Sequence, residues 1–138
     1  MSGPIPDITA IIGSGLLAER QRMGLIASNI ANADSITAAG GQPYRAREPV
    51  FAAEPALSGS AADRVVVAGV VESAAPPKMT YDPGNPRADA KGYVTGSNVD
   101  PAQQMTDLIS ATQNYAADIA VLDQSSKLDQ AMLQSFIA

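Results

Sequence analysis

Asp82, Asp89 and Asp100 are the side chains of this sequence whose type best suits catalysis, since two separated carboxylates can serve as general acid and base on a glycosidic bond. A periplasmic glycan-cleaving enzyme is the activity that such a pair would support. Each residue also has a local structural use. Asp82 opens the turn sequence Asp82-Pro83-Gly84-Asn85-Pro86, and Asp100 precedes Pro101 at a helix start. Those uses explain the aspartates without a reaction. The chain contains no Cys, no His and no Trp. Disulfides, thiol nucleophiles, imidazole bases and the usual zinc-ligand sets are thereby removed. The reading is of a non-enzyme with no cofactor, no metal and no small-molecule substrate.

Apolar residues make up 46% of the 138 positions, but aromatics only 4%, so the apolar content is mainly alanine with Val, Ile and Leu. Small side chains suit closely packed helices and suit an aromatic-lined ligand pocket poorly. Nine basic residues oppose fourteen acidic ones, for a net charge of −5. The cations are scattered singly, which argues against nucleic-acid binding. No apolar run is long enough to span a membrane. Met1-Ser2-Gly3-Pro4-Ile5-Pro6-Asp7 lacks the basic segment and apolar core of a secretory signal, so export without a cleaved signal is expected if the chain leaves the cytosol.

The elements that position these residues fall in three parts: 1–33, 34–100 and 101–138. The first is a helix starting at Pro6-Asp7 and ending near Ala33. Its positions 12, 16, 19, 23, 26, 30 and 33 alternate steps of four and three, the spacing of a heptad seam. Ile12, Leu16, Met23, Ile26 and Ile30 occupy five of them, and Glu19 is the charged interruption. Gly13, Gly15 and Gly24 each weaken an isolated helix by about 1 kcal/mol relative to Ala, so this one needs a partner. The last part opens at Asp100-Pro101 and contains no further Gly or Pro. Met105, Leu108, Thr112, Tyr115, Ile119 and Leu122 repeat the seam spacing, which drifts before recovering at Leu133 and Phe136. The middle holds seven of the ten prolines, with β-prone runs at 44–52, 64–71, 78–81 and 92–94. Residues 53–63 read as a mobile loop. The middle has too few large apolar side chains for an independent core and should lean on its own helices or on neighbouring molecules. Tyr44, Phe51, Tyr81 and Tyr93 supply nearly all its aromatic area. The expected fold is therefore mainly α with a small β insertion: long terminal helices in coiled-coil-like packing around an irregular, β-rich middle.

Asn29 and Asn32 lie three apart on the first helix, and two readings remain open for them. They set the register between neighbouring helices, as a buried Asn does in coiled coils, or they terminate the helix before Asp34-Ser35. Glu19 is either a solvated charge or a seam residue that requires an Arg across an interface.

The segment Ala27-Ser28-Asn29-Ile30-Ala31-Asn32-Ala33-Asp34-Ser35 resembles the N-terminal signature of the bacterial flagellar rod and hook proteins. Gly41-Gln42-Pro43-Tyr44-Arg45-Ala46, Val71-Glu72-Ser73, Tyr81-Asp82-Pro83-Gly84-Asn85-Pro86, Ala88-Asp89-Ala90-Lys91-Gly92-Tyr93-Val94 and Asn98-Val99-Asp100 follow in an order similar to the proximal rod members of that family. Two positions depart from the family pattern. Tyr115-Ala116-Ala117-Asp118 stands where Tyr-x-Ala-Asn is common, and Ser97 stands where proline is common. The resemblance implies a structural subunit of the flagellar basal body. It would be exported by the flagellar type III apparatus and polymerise through its terminal helices, with copies of itself and other rod proteins, into a proximal rod that carries torque across the periplasm. Ile12, Leu16, Met23, Ile26, Asn29, Ile30 and Asn32 in the first helix are expected to make the subunit contacts. Leu108, Tyr115, Ile119, Leu122, Leu133 and Phe136 are their counterparts in the last.

Overall fold

Helix α1 spans Ile8–Ala31 and is followed by the short strand β1, Ile36–Thr37. Strands β2 (Arg47–Glu54), β3 (Arg64–Glu72), β4 (Met79–Tyr81) and β5 (Tyr93–Gly96) come next, and helix α2 runs from Pro101 to Ile137. The computed structural model describes residues 8–55 and 63–137. The expected helix start at Pro6-Asp7 and most of the expected loop at 53–63 lie outside them.

Helix α1 carries no proline and ends where side chains begin to take its last carbonyls. The Asn32 side-chain amide donates to Ser28 O at 2.8 Å, and the Ser35 hydroxyl donates to Asn32 O at 2.7 Å. No non-glycine residue among those described has a positive φ, so the helix stops two residues before Ala33 by side-chain capping and not through a left-handed Asn. At the other end of the fold, the Asp100 carboxylate accepts the Ala102 N–H at 3.0 Å, and Pro101 fills the first helical position. Helix α2 is 37 residues long, roughly 55 Å at the standard rise.

The strands form two antiparallel sheets. β2 and β3 make a hairpin with a bulge at Val50/Phe51. β1, β5 and β4 form a three-stranded sheet in that order. β1 is only two residues long and had no sequence signal; it exists by pairing Ile36 with Gly96 and Thr37 with Thr95.

Helix α1 is packed on both sides, against the hairpin and against α2. The two helices are antiparallel: Asn29 meets Gln104, Glu19 meets Asn114, and Gly15 faces Asp118. The buried set is small in side-chain volume: Ala18, Ile26, Ala46, Val94, Val99 and Ala111, with the polar residues Asn29, Ser97 and Gln104. Of the insertion's strands, β2 and β3 pack on α1. Its aromatic residues do not form a buried core. Phe51, Tyr81 and Tyr93 are exposed, and Tyr81 and Tyr93 touch edge to face at 5.3 Å.

Candidate functional site

Asn29 is 1% exposed, and both ends of its amide are fully engaged. Its Oδ1 accepts the Arg47 N–H at 2.9 Å and the Tyr44 hydroxyl at 3.0 Å. Its Nδ2 donates to Arg47 O at 2.9 Å and to Gln104 Oε1 at 2.8 Å. One side chain of α1 thus ties the start of β2 and the first turn of α2 together, and four satisfied bonds remove the penalty of burying an amide. The sequence left two uses open for Asn29, register between helices or helix termination. Its bonds join helices within this chain. Asn32 is half-buried and caps α1.

A second tie sits beside it. Asn98 Oδ1 accepts the Ala46 N–H at 2.7 Å, and Asn98 Nδ2 donates to Ala75 O at 3.0 Å and Ser73 O at 3.3 Å. Ser97 is buried, and its backbone N–H donates to Ser35 O at 3.0 Å. Proline has no N–H, so the Ser97 departure from the family pattern adds a hydrogen bond that proline could not make. Gln104, Tyr44 and Asn98 carried no signal in the sequence for these roles, because each depends on a partner far along the chain.

Along the helix pair, Ile26 is buried and Ile12, Leu16, Met23 and Ile30 are half-buried, on the side of α1 that faces its neighbours. On α2 the covered positions are Gln104, Asp107, Leu108, Ala111, Tyr115, Asp118, Leu122 and Ser125. Leu108, Tyr115 and Leu122 agree with the expected stripe. Gln104, Ala111 and Asp118 replace Met105, Thr112 and Ile119, which lie one residue further along and are exposed. The covered line is smaller and more polar than periodicity suggested, because Gln104 bonds to Asn29 and Gly15 brings the helices close at Asp118. Glu19 completes this face. Its Oε1 lies 3.6 Å from Arg22 and accepts from Asn114 at 3.3 Å, while its Oε2 is buried without a hydrogen-bond partner.

Most of the large apolar side chains of α2 are accordingly left exposed: Met105, Ile109, Ile119, Val121, Leu128, Met132, Leu133 and Phe136, the last to 83%. From residue 126 to 136 every position is exposed. An apolar cleft of about 370 Å³ lies between Ile8 and the Val121–Leu128 side of α2.

The aspartates are spent on local turns and a helix cap. Asp82 Oδ2 accepts from the Asn85 side-chain amide at 3.2 Å. Asp89 Oδ1 accepts the N–H groups of Lys91 at 2.8 Å and Tyr93 at 2.9 Å. The Tyr93 bond is the main reason that the Asp89 carboxyl sits below its ordinary pKa, with Lys91 helping through its N–H and its charge. Asp100 caps α2. No group of three or more potential ligands among the described residues could hold a metal ion, and no helix among them is long and apolar enough to cross a membrane.

Known proteins decide between building block and enzyme. The chain is 50% identical over 117 residues to flagellar basal-body rod protein FlgC of Escherichia coli O6:H1, covering 85% of this chain and 87% of that protein. The chain belongs to the FlgC family of flagellar basal-body rod proteins. The FlgC of Yersinia enterocolitica is 46% identical over 124 residues, covering 88% and 90% of the two chains. That of Bacillus subtilis is 33% identical over 128 residues, covering 82% and 85%. Residues 90–135 also match the family described as the C-terminal part of flagellar basal body rod FlgEFG proteins. As a FlgC-family member, the chain is a structural rod subunit of the flagellar basal body and not an enzyme. The glycan-cleaving reading of Asp82, Asp89 and Asp100 is not supported.

Proposed function

We propose that this FlgC-family subunit polymerises through its terminal helices into the proximal rod, which carries torque across the periplasm. The observation that carries this reading is the row of large apolar residues on α2, most of which the folded chain leaves exposed. Exposed apolar surface of this extent marks association. In this reading 1–33 and 101–138 form the rod core, and 34–100 is an insertion. Ile119, Leu133 and Phe136 make contacts between subunits directly. Ile12, Leu16, Met23, Ile30, Leu108, Tyr115 and Leu122 hold the intrachain pair, which becomes coiled-coil-like when neighbouring helices pack around it. Ile26, Asn29 and Asn32 support assembly from within the folded chain. Partners are further copies and other rod proteins, joined head to tail, since such contacts build tubes and not closed pairs. Delivery is by the flagellar type III apparatus, without a cleaved signal peptide. A density map of isolated basal bodies tests the proposal. It should place residues 126–136 of α2 against helices of neighbouring subunits; finding that segment bare in the mature rod would overturn it.

A further inference from the structure

The three-stranded sheet stands apart from the helices: none of β1, β4 and β5 packs on α1 or α2 among the described residues. Its two edges differ. At the β1 edge, the outward carbonyl of Ile36 is taken by the Arg87 guanidinium at 2.9 Å. The β4 edge has no such partner among the described residues. The Gly96 N–H donates to Lys78 O at 2.7 Å, and the Asp82 N–H to Gly92 O at 2.9 Å. Lys78, Thr80 and Asp82 therefore turn their backbone groups to β5, while Met79 and Tyr81, at the alternate positions, turn theirs outward. All three residues of β4 are exposed, Met79 to 52% and Tyr81 to 64%. Both lie on one face of the sheet with Tyr93.

We infer that the β4 edge is a docking site for β4 of a second copy of this chain. Laid antiparallel about Thr80, the segment Lys78-Met79-Thr80-Tyr81-Asp82 is complementary to itself. Met79 then stands opposite Tyr81 of the second copy, and Tyr81 opposite its Met79. These are the residues with outward backbone groups, so the two pairs close four N–H···O=C bonds. Each pair also sets a thioether against an aromatic ring on the same face. Lys78 falls opposite Asp82 of the second copy, again twice, and neither has an ion-pair partner of its own among the described residues. A slip of two residues in either direction keeps the outward groups paired but separates these charges, which fixes the register. The product is one sheet in the order β1-β5-β4-β4-β5-β1 about a two-fold axis. Such a contact closes at two copies and stays weak and transient at this size, so it is distinct from the head-to-tail contacts of the rod.

Disulfide trapping on the full-length purified chain tests this. The chain has no cysteine, so one engineered thiol can bridge only two copies. Thr80 meets its own counterpart on the axis, at a close pair whose spacing suits a disulfide. Thr80→Cys should therefore form covalent dimers at least tenfold faster than Ser126→Cys, an exposed site away from the edge. On the Thr80→Cys background, Lys78→Glu and Asp82→Lys each place like charges opposite one another and should each slow trapping at least tenfold. Mixing those two chains makes both pairs complementary again and should restore the rate. Should Asp82→Lys disturb the turn, Met79→Pro removes an outward N–H that only a neighbouring strand would use, and should slow trapping likewise. Phe136→Asp should leave the rate unchanged, which separates this contact from assembly through α2. Equal trapping at positions 80 and 126 would overturn the docking edge. A mixture no faster than its components, or no effect of Met79→Pro, would overturn the register.

Discussion

Gly92 and Asp89 show how single residues shape the insertion. Gly92 has φ +82, and a Cβ there would stand 2.9 Å from Tyr81 Cε2 and 3.1 Å from Pro83 Cβ. Gly92→Ala thus combines left-handed strain with a clash, and should destabilise the chain by about 1–3 kcal/mol, read as a lower urea midpoint. Asp89 holds the same loop through the Tyr93 and Lys91 N–H groups, and its folded pKa is depressed. A depressed carboxyl contributes stability above the ordinary carboxylate range, and that contribution is lost as pH falls through the folded value. The loop should therefore be unaffected from neutral pH down to about pH 4 and loosen below it. The amide proton shift of Tyr93 followed through an acid titration would report this, and Asp89→Asn should abolish that inflection. These roles were half legible: the Asp-Pro-Gly turn was plain in the sequence, but the seating of Tyr81 over Gly92 depends on strand pairing across the turn.

Among the elements, α2 separates what local sequence carries from what it does not. Its start was readable because Asp100 and Pro101 act on their immediate neighbours. Asp100→Ala should cost about 0.5–2 kcal/mol through the lost bond to the Ala102 N–H, seen as a shifted urea midpoint at unchanged slope. The rotational phase of the helix was not readable. Met105 and Gln104 both fit a three-four spacing, and hydrophobicity alone favours Met105. The choice falls to Gln104 because a buried Asn29, 75 positions earlier, needs an acceptor. The same reasoning places Ala111 inward instead of Thr112, since close helices leave room only for a small side chain. The exposed apolar residues of α2 are thus a consequence of which residues the interior demands. Strand β1 was unreadable for a related reason, being two residues that become a strand only beside β5.

At the level of the whole molecule, Ile26 and Phe136 separate folding from assembly. Both look like seam residues in the sequence, yet Ile26 is 5% exposed and Phe136 is 83% exposed. Ile26→Asp removes a buried apolar side chain and puts a carboxylate in its place, and should cost about 3–5 kcal/mol. Against the roughly 5–15 kcal/mol that holds a domain together, that loss leaves little folded subunit, so absent rods in this variant would report unfolding. Phe136→Asp changes a side chain that the folded chain scarcely covers, and should move stability by no more than about 0.5 kcal/mol. Its effect should appear only on polymerisation: normal export and normal circular dichroism, with rods missing and cells non-motile. Rods of normal length in Phe136→Asp cells would show that the end of α2 is not a subunit contact. Loss of rods with an unfolded monomer would instead return Phe136 to the folding core. The pair of variants therefore asks which apolar residues of a small-cored subunit stabilise the chain and which await a neighbour.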